Sequence, residues 1–142
     1  MTRIVAIDDE PAILQAMGDY LEHFGFDVST HAYVGSNADG FTKFCQELPE
    51  QPDIIIVDYR LPGDQNGTQI VDDMRTAYDK KIPAILFTGD ISKKTIGDAE
   101  ARDLHLLYKP VRMEVLRQTV EEILGGEADW IKPYFFAGKL SA

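Results

Sequence analysis

Four short apolar runs of the chain each end in polar residues that could do chemistry together. Asp8 and Asp9 follow the first run, Asp58 the next, Thr88 the third and Lys109 the last. A carboxylate can act as a nucleophile and form an acyl phosphate, and Asp58 is the natural candidate for that role. Lys109 would add a positive charge and Thr88 a hydroxyl donor, so both could bind the oxygens of a phosphoryl group.

The three aspartates would repel one another if the fold brought them together. Carboxylates within ~4–6 Å raise each other's pKa. One close pair costs about 4 kcal/mol at an effective dielectric constant of about 20. A divalent cation would offset this repulsion, and carboxylate oxygens, backbone carbonyls and waters suit Mg²⁺ better than zinc or copper. The residues therefore predict a magnesium site that includes Asp8, Asp9 and Asp58.

Alternating strands and helices are needed to position these residues. Apolar runs and alternating patterns predict strands at 4–7, 26–31, 54–57, 83–87 and 104–108. Between and after them, helices are predicted at 11–24, 36–48, 68–78, 92–100 and 111–124. Strands separated by helices indicate βαβ units, and right-handed crossovers place helices on both faces of one parallel sheet. The sequence therefore predicts an α/β protein with a doubly wound parallel sheet.

Such a sheet would gather the chemically active residues at one edge. Ligands of open parallel sheets bind beyond the carboxyl ends of the strands, and each of these residues follows a predicted strand. A single aspartate at a strand end is more often a turn or capping residue, and a lone Thr-Gly or Lys-Pro pair is usually a turn. The functional interpretation therefore depends on the four strand ends taken together.

Composition and charge exclude several other classes of protein. The chain has 142 residues, enough for one domain of ordinary size and a short appendage. Its net charge of -10 disfavours direct binding to nucleic acids or to anionic membranes. It has no apolar run of the ~20 residues that a membrane helix needs, and its first residues do not resemble a signal peptide. We therefore expect a cytoplasmic protein that binds neither nucleic acids nor membranes.

Four segments around the strand ends resemble the receiver domain of bacterial two-component response regulators. They are Val-Ala-Ile-Asp-Asp-Glu at 5–10, Val-Asp-Tyr-Arg-Leu-Pro-Gly at 57–63, Leu-Phe-Thr-Gly at 86–89 and Tyr-Lys-Pro at 108–110. The resemblance covers about residues 2–124. It implies a flavodoxin-like (βα)5 fold with strand order 2-1-3-4-5. The receiver domain would occupy residues 1–125, followed by a tail at 126–142.

The resemblance also implies a role for each site residue. Asp58 would accept a phosphoryl group from a sensor histidine kinase or a histidine phosphotransfer protein. Asp9 and Asp58 would bind Mg²⁺ directly, together with the backbone carbonyl of Arg60, and Asp8 would bind it through water. The chain would catalyse its own phosphorylation and dephosphorylation without being a turnover enzyme.

Phosphorylation would then be transmitted to partners. Thr88 and Lys109 would hold the phosphoryl oxygens, and the face formed by helix four, strand five and helix five would shift between two populations. That face could also form a homodimer.

Three features depart from the receiver pattern or modify it. The loop between Asp58 and Gly67 is one residue longer than usual. Leu106 stands where the family often has an aromatic switch residue, three positions before Lys109. Arg60, two positions after Asp58, could reach the phosphoryl group and change the rate of its hydrolysis.

Two other functions stay open at this point. The chain could be a receiver-like binding module that acts without phosphorylation, although the complete set of acidic residues, Thr88 and Lys109 argues against this. It could also be a hydrolase of phosphoesters that uses Asp58 as its nucleophile. Hydrolases of the haloacid-dehalogenase type need a second aspartate two residues later, where this chain has Arg60.

The tail at 126–142 is unusually aromatic. It carries Trp130, Tyr134, Phe135 and Phe136, whereas the whole chain has one Trp, six Tyr and seven Phe. Solvated tails seldom contain so many aromatic residues. We expect these side chains to dock on the protein's own helices or on a partner, and the tail is too short to be a DNA-binding output domain.

Overall fold

Strands and helices alternate along the chain, as the apolar pattern predicted. The computed structural model describes residues 1–34, 38–63 and 65–125. The strands are β1 (Arg3–Asp8), β2 (Asp27–Ala32), β3 (Ile54–Asp58), β4 (Ala84–Thr88) and β5 (His105–Tyr108). The helices are α1 (Pro11–His23), α2 (Ala38–Glu47), α3 (Gly67–Tyr78), α4 (Lys93–Ala101) and α5 (Met113–Leu124).

The five strands form one parallel sheet in the order β2-β1-β3-β4-β5. This confirms the predicted flavodoxin-like fold and strand order. The carboxyl ends of the central strands are level, since Asp58 pairs with Phe87 and Thr88 pairs with Tyr108. The polar residues that follow the strands therefore lie at the same edge of the sheet.

Two apolar layers hold the helices against the sheet. One layer lies under α2, α3 and α4, and the other lies under α1 and α5. In β3, Ile55 and Val57 belong to the first layer and Ile54 and Ile56 to the second, because successive side chains of a strand point to opposite faces. Each fully buried side chain of this size contributes about 1.5–3 kcal/mol, so β3 is firmly fixed at the centre of the domain.

Several element boundaries differ from the prediction by one or two residues. β1 and β4 run on to Asp8 and Thr88, because the ladders continue through those residues. α3 begins at Gly67, one residue earlier than predicted, because Asn66 caps it. α5 begins at Met113, two residues later than predicted, because Arg112 is extended.

Two further boundaries concern the second and fourth helices. Ser92 is the N-cap of α4 rather than its first residue, since its side chain accepts a hydrogen bond from the Thr95 N–H. The predicted start of the second helix, at residue 36, lies outside the described residues. Within the described part of the chain, none of the helices has both the length and the apolar character needed to cross a membrane.

Candidate functional site

The central strands β1 and β3 deliver two buried carboxylates to the edge of the sheet. Asp8 is the last residue of β1 and Asp58 the last of β3, and they are only 2% and 5% exposed. Each carboxylate lies where an apolar strand ends, at the edge of the sheet, and is still buried there. A buried carboxylate is costly unless it is paired or binds a cation.

Lys109 supplies one such partner. Its Nζ lies 3.0 Å from Asp58 Oδ2, and its backbone N–H donates to the Thr88 carbonyl at 2.9 Å. The Lys109–Pro110 peptide bond is cis. The ends of β4 and β5 thus hold the lysine beside the end of β3, and the structure brings together two residues that are 51 positions apart.

The environment shifts the pKa of both partners upward, for different reasons. Burial opposes the charge of Lys109, but its hydrogen bond to Asp58 and the surrounding carboxylates outweigh that effect and raise the pKa of the amine. Burial raises the pKa of Asp58, and the charge of Asp9 adds to the effect although Lys109 opposes it. The charged form of Lys109 is therefore stabilised, whereas burial and the neighbouring Asp9 destabilise the charged form of Asp58.

A cluster of three acidic residues lies at the carboxyl end of β1. One carboxylate oxygen from each of Asp8, Asp9 and Glu10 lies within 4.8 Å of the others, and Asp9 and Glu10 are exposed. Burial raises the pKa of Asp8 to about 6, and repulsion from Asp58 contributes to the same shift. These hard oxygen ligands at an open edge fit a magnesium ion. Glu10 was not among the predicted ligands, although its position next to the two aspartates was a signal that it could join them.

Thr88 lies in the expected position, but its hydroxyl is occupied by its own loop. The residue is 1% exposed at the end of β4. Its Oγ1 accepts a hydrogen bond from the Asp90 N–H at 2.8 Å and lies 3.3 Å from the Asp90 carbonyl oxygen. The hydroxyl therefore organises the loop between β4 and α4, and its predicted contact with phosphoryl oxygens stays a prediction.

Arg60 lies with its side chain at the exposed side of the site, next to the loop that follows β4. Its side chain is 77% exposed and its guanidinium lies 2.9 Å from Asp90 Oδ2, while its backbone N–H bonds the Asp58 carboxylate. An open pocket lies beside this ion pair, lined by Arg60, Gly89, Asp90, Ile91, Ser92 and Lys109. The predicted role of the Arg60 carbonyl as a metal ligand stays a prediction.

Gly67 permits the close approach of α3 to the end of β3. A Cβ at this position would lie 2.4 Å from the backbone oxygen of Asp58, so no other residue fits. Its N–H donates to the Tyr59 carbonyl at 2.9 Å. The residue pattern predicts this glycine only as the end of a turn-rich loop. Asp64, within that longer loop, lies outside the described residues.

Leu106 is packed in the core, at 4% exposure, within the layer under α2, α3 and α4. An aliphatic side chain here cannot form the hydrogen bonds that an aromatic hydroxyl could make.

A family model and two known proteins match most of this chain. The family model for the response regulator receiver domain matches residues 4–121. The chain is 32% identical over 130 residues to protein PilH of Pseudomonas aeruginosa, covering 89% of this chain and all of PilH. It is 34% identical to the DNA-binding dual master transcriptional regulator RpaA of Synechocystis, covering 87% of this chain but only 49% of RpaA.

Solved structures show the same fold. The chemotaxis protein CheY4 of Vibrio cholerae superimposes with a TM-score of 0.72 at 26% identity, covering 87% of this chain and 98% of CheY4. A CheY-like receiver domain protein of Methanospirillum hungatei superimposes with a TM-score of 0.74 at 24% identity, covering 89% and 96% of the two chains.

Proposed function

The chain belongs to the response regulator receiver domain family of two-component signalling, and from this premise we propose that it accepts a phosphoryl group on Asp58. The observation that carries the proposal is the 3.0 Å pair between Lys109 Nζ and Asp58 Oδ2, beside the acidic cluster of β1. The donor would be a phosphohistidine of a sensor histidine kinase or a histidine phosphotransfer protein.

The proposed reaction is a direct transfer. An Asp58 carboxylate oxygen attacks phosphorus, the P–N bond breaks, and the imidazole leaves with the bonding electron pair and takes up a proton. The product is an acyl phosphate on Asp58, which water later hydrolyses to the carboxylate and inorganic phosphate. This makes the chain a phosphoacceptor that catalyses its own modification rather than a turnover enzyme.

The residues of the site would each contribute to this transfer. Asp8, Asp9 and Asp58 would hold Mg²⁺ with the backbone carbonyl of Arg60, and Glu10 lies close enough to the first two to take part. When bound, the ion would neutralise charge on the transferring phosphoryl group. Lys109 already lies against the accepting oxygen, so its ammonium is placed to bind the phosphoryl oxygens.

Modification would change the charge that Lys109 faces. The single negative charge of Asp58 would be replaced by about -1.5 to -2 at pH 7. The Thr88 hydroxyl would then exchange its contact with Asp90 for one with the phosphoryl group. We propose that the output is a change in protein contacts at the face of α4, β5 and α5, that this face can form a homodimer, and that the protein works in the cytoplasm.

Incubation of the full chain with a small acyl phosphate and Mg²⁺ tests the acceptor. Intact mass spectrometry should show the gain of one phosphoryl group, and Asp58→Asn should abolish it. Asp79→Asn is the matched control, because it removes the same charge at a left-handed position (φ 50°) that asparagine tolerates. A gain that survives in Asp58→Asn would move the acceptor elsewhere.

The same experiment separates the other two functions. No gain in the wild-type chain would favour a binding module that acts without phosphorylation. Steady consumption of the donor without modified protein would favour a hydrolase.

We also propose that residues 126–142, which lie outside the described residues, form a docking tail after the receiver domain of residues 1–125. Truncation after Gly126 should change stability, oligomeric state or partner binding. If all three stay the same, the aromatic residues of the tail have no such role.

A further inference from the structure

Tyr59 connects the end of β3 to three other elements. It directly follows Asp58 and is 6% exposed. Its backbone N–H donates to the Phe87 carbonyl of β4 at 2.7 Å, and its carbonyl accepts from Gly67 of α3 at 2.9 Å. Its hydroxyl donates to Asp98 Oδ2 of α4 at 3.2 Å. A displacement of the Asp58 backbone would therefore be transmitted to α4 through the side chain of Tyr59.

The apolar core holds α4 only weakly. Two of the nine residues of α4 are buried, Thr95 and Ala99, whereas five of the twelve residues of α3 are buried. The position of α4 must therefore depend more than that of α3 on polar contacts. The Tyr59–Asp98 hydrogen bond is one of these polar contacts, and it joins α4 to the residue that follows Asp58.

Asp98 belongs to a wider polar network on the same side of the domain. Its Oδ2 also lies 3.1 Å from Lys94 Nζ, and its backbone carbonyl accepts from Arg102 at 3.0 Å. Arg102 in turn pairs with Asp72 of α3 at 3.0 Å. A change at Asp98 would thus alter how α4 sits against α3.

We propose that Tyr59 is a positioning residue that transmits the state of Asp58 to α4 through its hydrogen bond to Asp98. This inference rests on the proposed function of Asp58. Leu106 of β5 cannot supply a hydroxyl, whereas Tyr59, which packs in the same apolar layer directly after Asp58, supplies one. The Tyr59–Asp98 bond differs in strength between the two states of the site, so phosphorylation shifts the population of α4 positions.

Amide hydrogen exchange of the full chain, with and without Mg²⁺ and the phosphoryl mimic beryllofluoride, tests this coupling. In the wild type, exchange across 93–101 should change on binding. Tyr59→Phe keeps the buried ring and removes only the hydroxyl. It should still bind beryllofluoride, with less than half of the wild-type change in α4.

Two further variants test the Tyr59–Asp98 bond by changing Asp98, alone or together with Tyr59. Asp98→Ala should lose at least as much of the α4 response, and the double variant should lose no more than Asp98→Ala alone, because the Tyr59–Asp98 bond is common to both changes. Tyr78→Phe is the control that should keep the full response, because it removes a hydroxyl from a tyrosine packed against the same apolar layer.

Each outcome decides between the proposals. A full α4 response in Tyr59→Phe or Asp98→Ala would overturn the coupling and leave the phosphoacceptor intact. Loss of beryllofluoride binding in Tyr59→Phe would also overturn it, because the hydroxyl would then act on the site itself. If the wild type binds no beryllofluoride, the proposed function fails first. Should Tyr59→Phe not fold, Asp98→Ala, at a position that is only partly buried, gives the answer.

Discussion

The helices α3 and α4 both start beyond the carboxyl edge of the sheet and flank Asp58, yet they are held in different ways. α3 begins with a capping box formed by Asn66 and Gln69, and it buries Ile70, Val71 and Met74. α4 begins at the single cap of Ser92 and buries only Thr95 and Ala99.

The α3 side of the site is therefore firmly held, whereas the α4 side can change position. Large apolar contacts resist displacement, whereas an element with few buried contacts opens at small free-energy cost. We therefore expect α3 to stay fixed while α4 moves.

Ile70→Ala should destabilise the protein by about 2–5 kcal/mol, because it opens a cavity at a fully buried position of α3. Ile96→Ala is the matched change in α4, where the side chain is only partly buried. It should cost about 1 kcal/mol. Urea unfolding of the two variants measures both values, and equal costs would remove the contrast.

Magnesium should stabilise the central strands and α3. At about 100 times its Kd the ion would add about 2.7 kcal/mol to the free energy of unfolding. Because the proposed ligands lie on β1 and β3 and in the loop after β3, amide protection should rise at α3 and the central strands but not at α4. Protection that rises most in α4 would contradict this assignment.

The effect of magnesium should also depend on pH. Without the ion, Asp8 in the folded protein has a pKa of about 6, against 3.8 unfolded. The folded state thus keeps a proton that the unfolded chain has lost, so Asp8 contributes stability below pH 3.8 that disappears as the pH rises through about 6. Magnesium competes with that proton, and its affinity, measured by calorimetry, should fall as the pH drops below about 6. Asp8→Asn should weaken this dependence and leave the part that arises from Asp58, whose pKa is also raised by burial.

Loss of the helix caps should have a moderate and unequal effect. The Asn66 side chain accepts from the backbone N–H groups of Thr68 and Gln69, and Gln69 bonds back to the Asn66 N–H. Asn66→Ala should therefore cost about 1 kcal/mol. Ser92→Ala should cost less, since its side chain accepts from a single backbone N–H, that of Thr95. Thermal unfolding would expose an inverted order.

The smallest effect is expected for Lys94→Ala. The side chain is 75% exposed and pairs with Asp98 one turn away, and such surface pairs add little stability. Urea unfolding should give the wild-type midpoint. A shift as large as that of Asn66→Ala would mean that α4 depends on its surface charges as well as on Tyr59.

Much of the sheet, including where its strands end, could be predicted from the residue pattern. The β-branched run of 54–57 indicated a strand buried on both faces, and it is the central strand of the sheet. Strand ends had to meet at one edge because parallel strands all point the same way, so the gathering of Asp8, Asp58 and Lys109 followed from topology.

Other features of the site could not be predicted in this way. The occupied hydroxyl of Thr88, the inclusion of Glu10 in the acidic cluster and the close approach at Gly67 depend on loop conformations that no periodicity encodes.

The order of the elements and the faces they bury follow from apolar spacing along the chain, because that spacing specifies which side of a helix or strand leaves water. Which polar atoms meet depends instead on how the elements pack. Asp58 and Lys109 are 51 residues apart and Tyr59 and Asp98 are 39 apart, and contacts of 3.0 and 3.2 Å between them depend on how the layers pack. The same packing raises the pKa of Asp8, since burial is a property of the assembled fold and not of the residue.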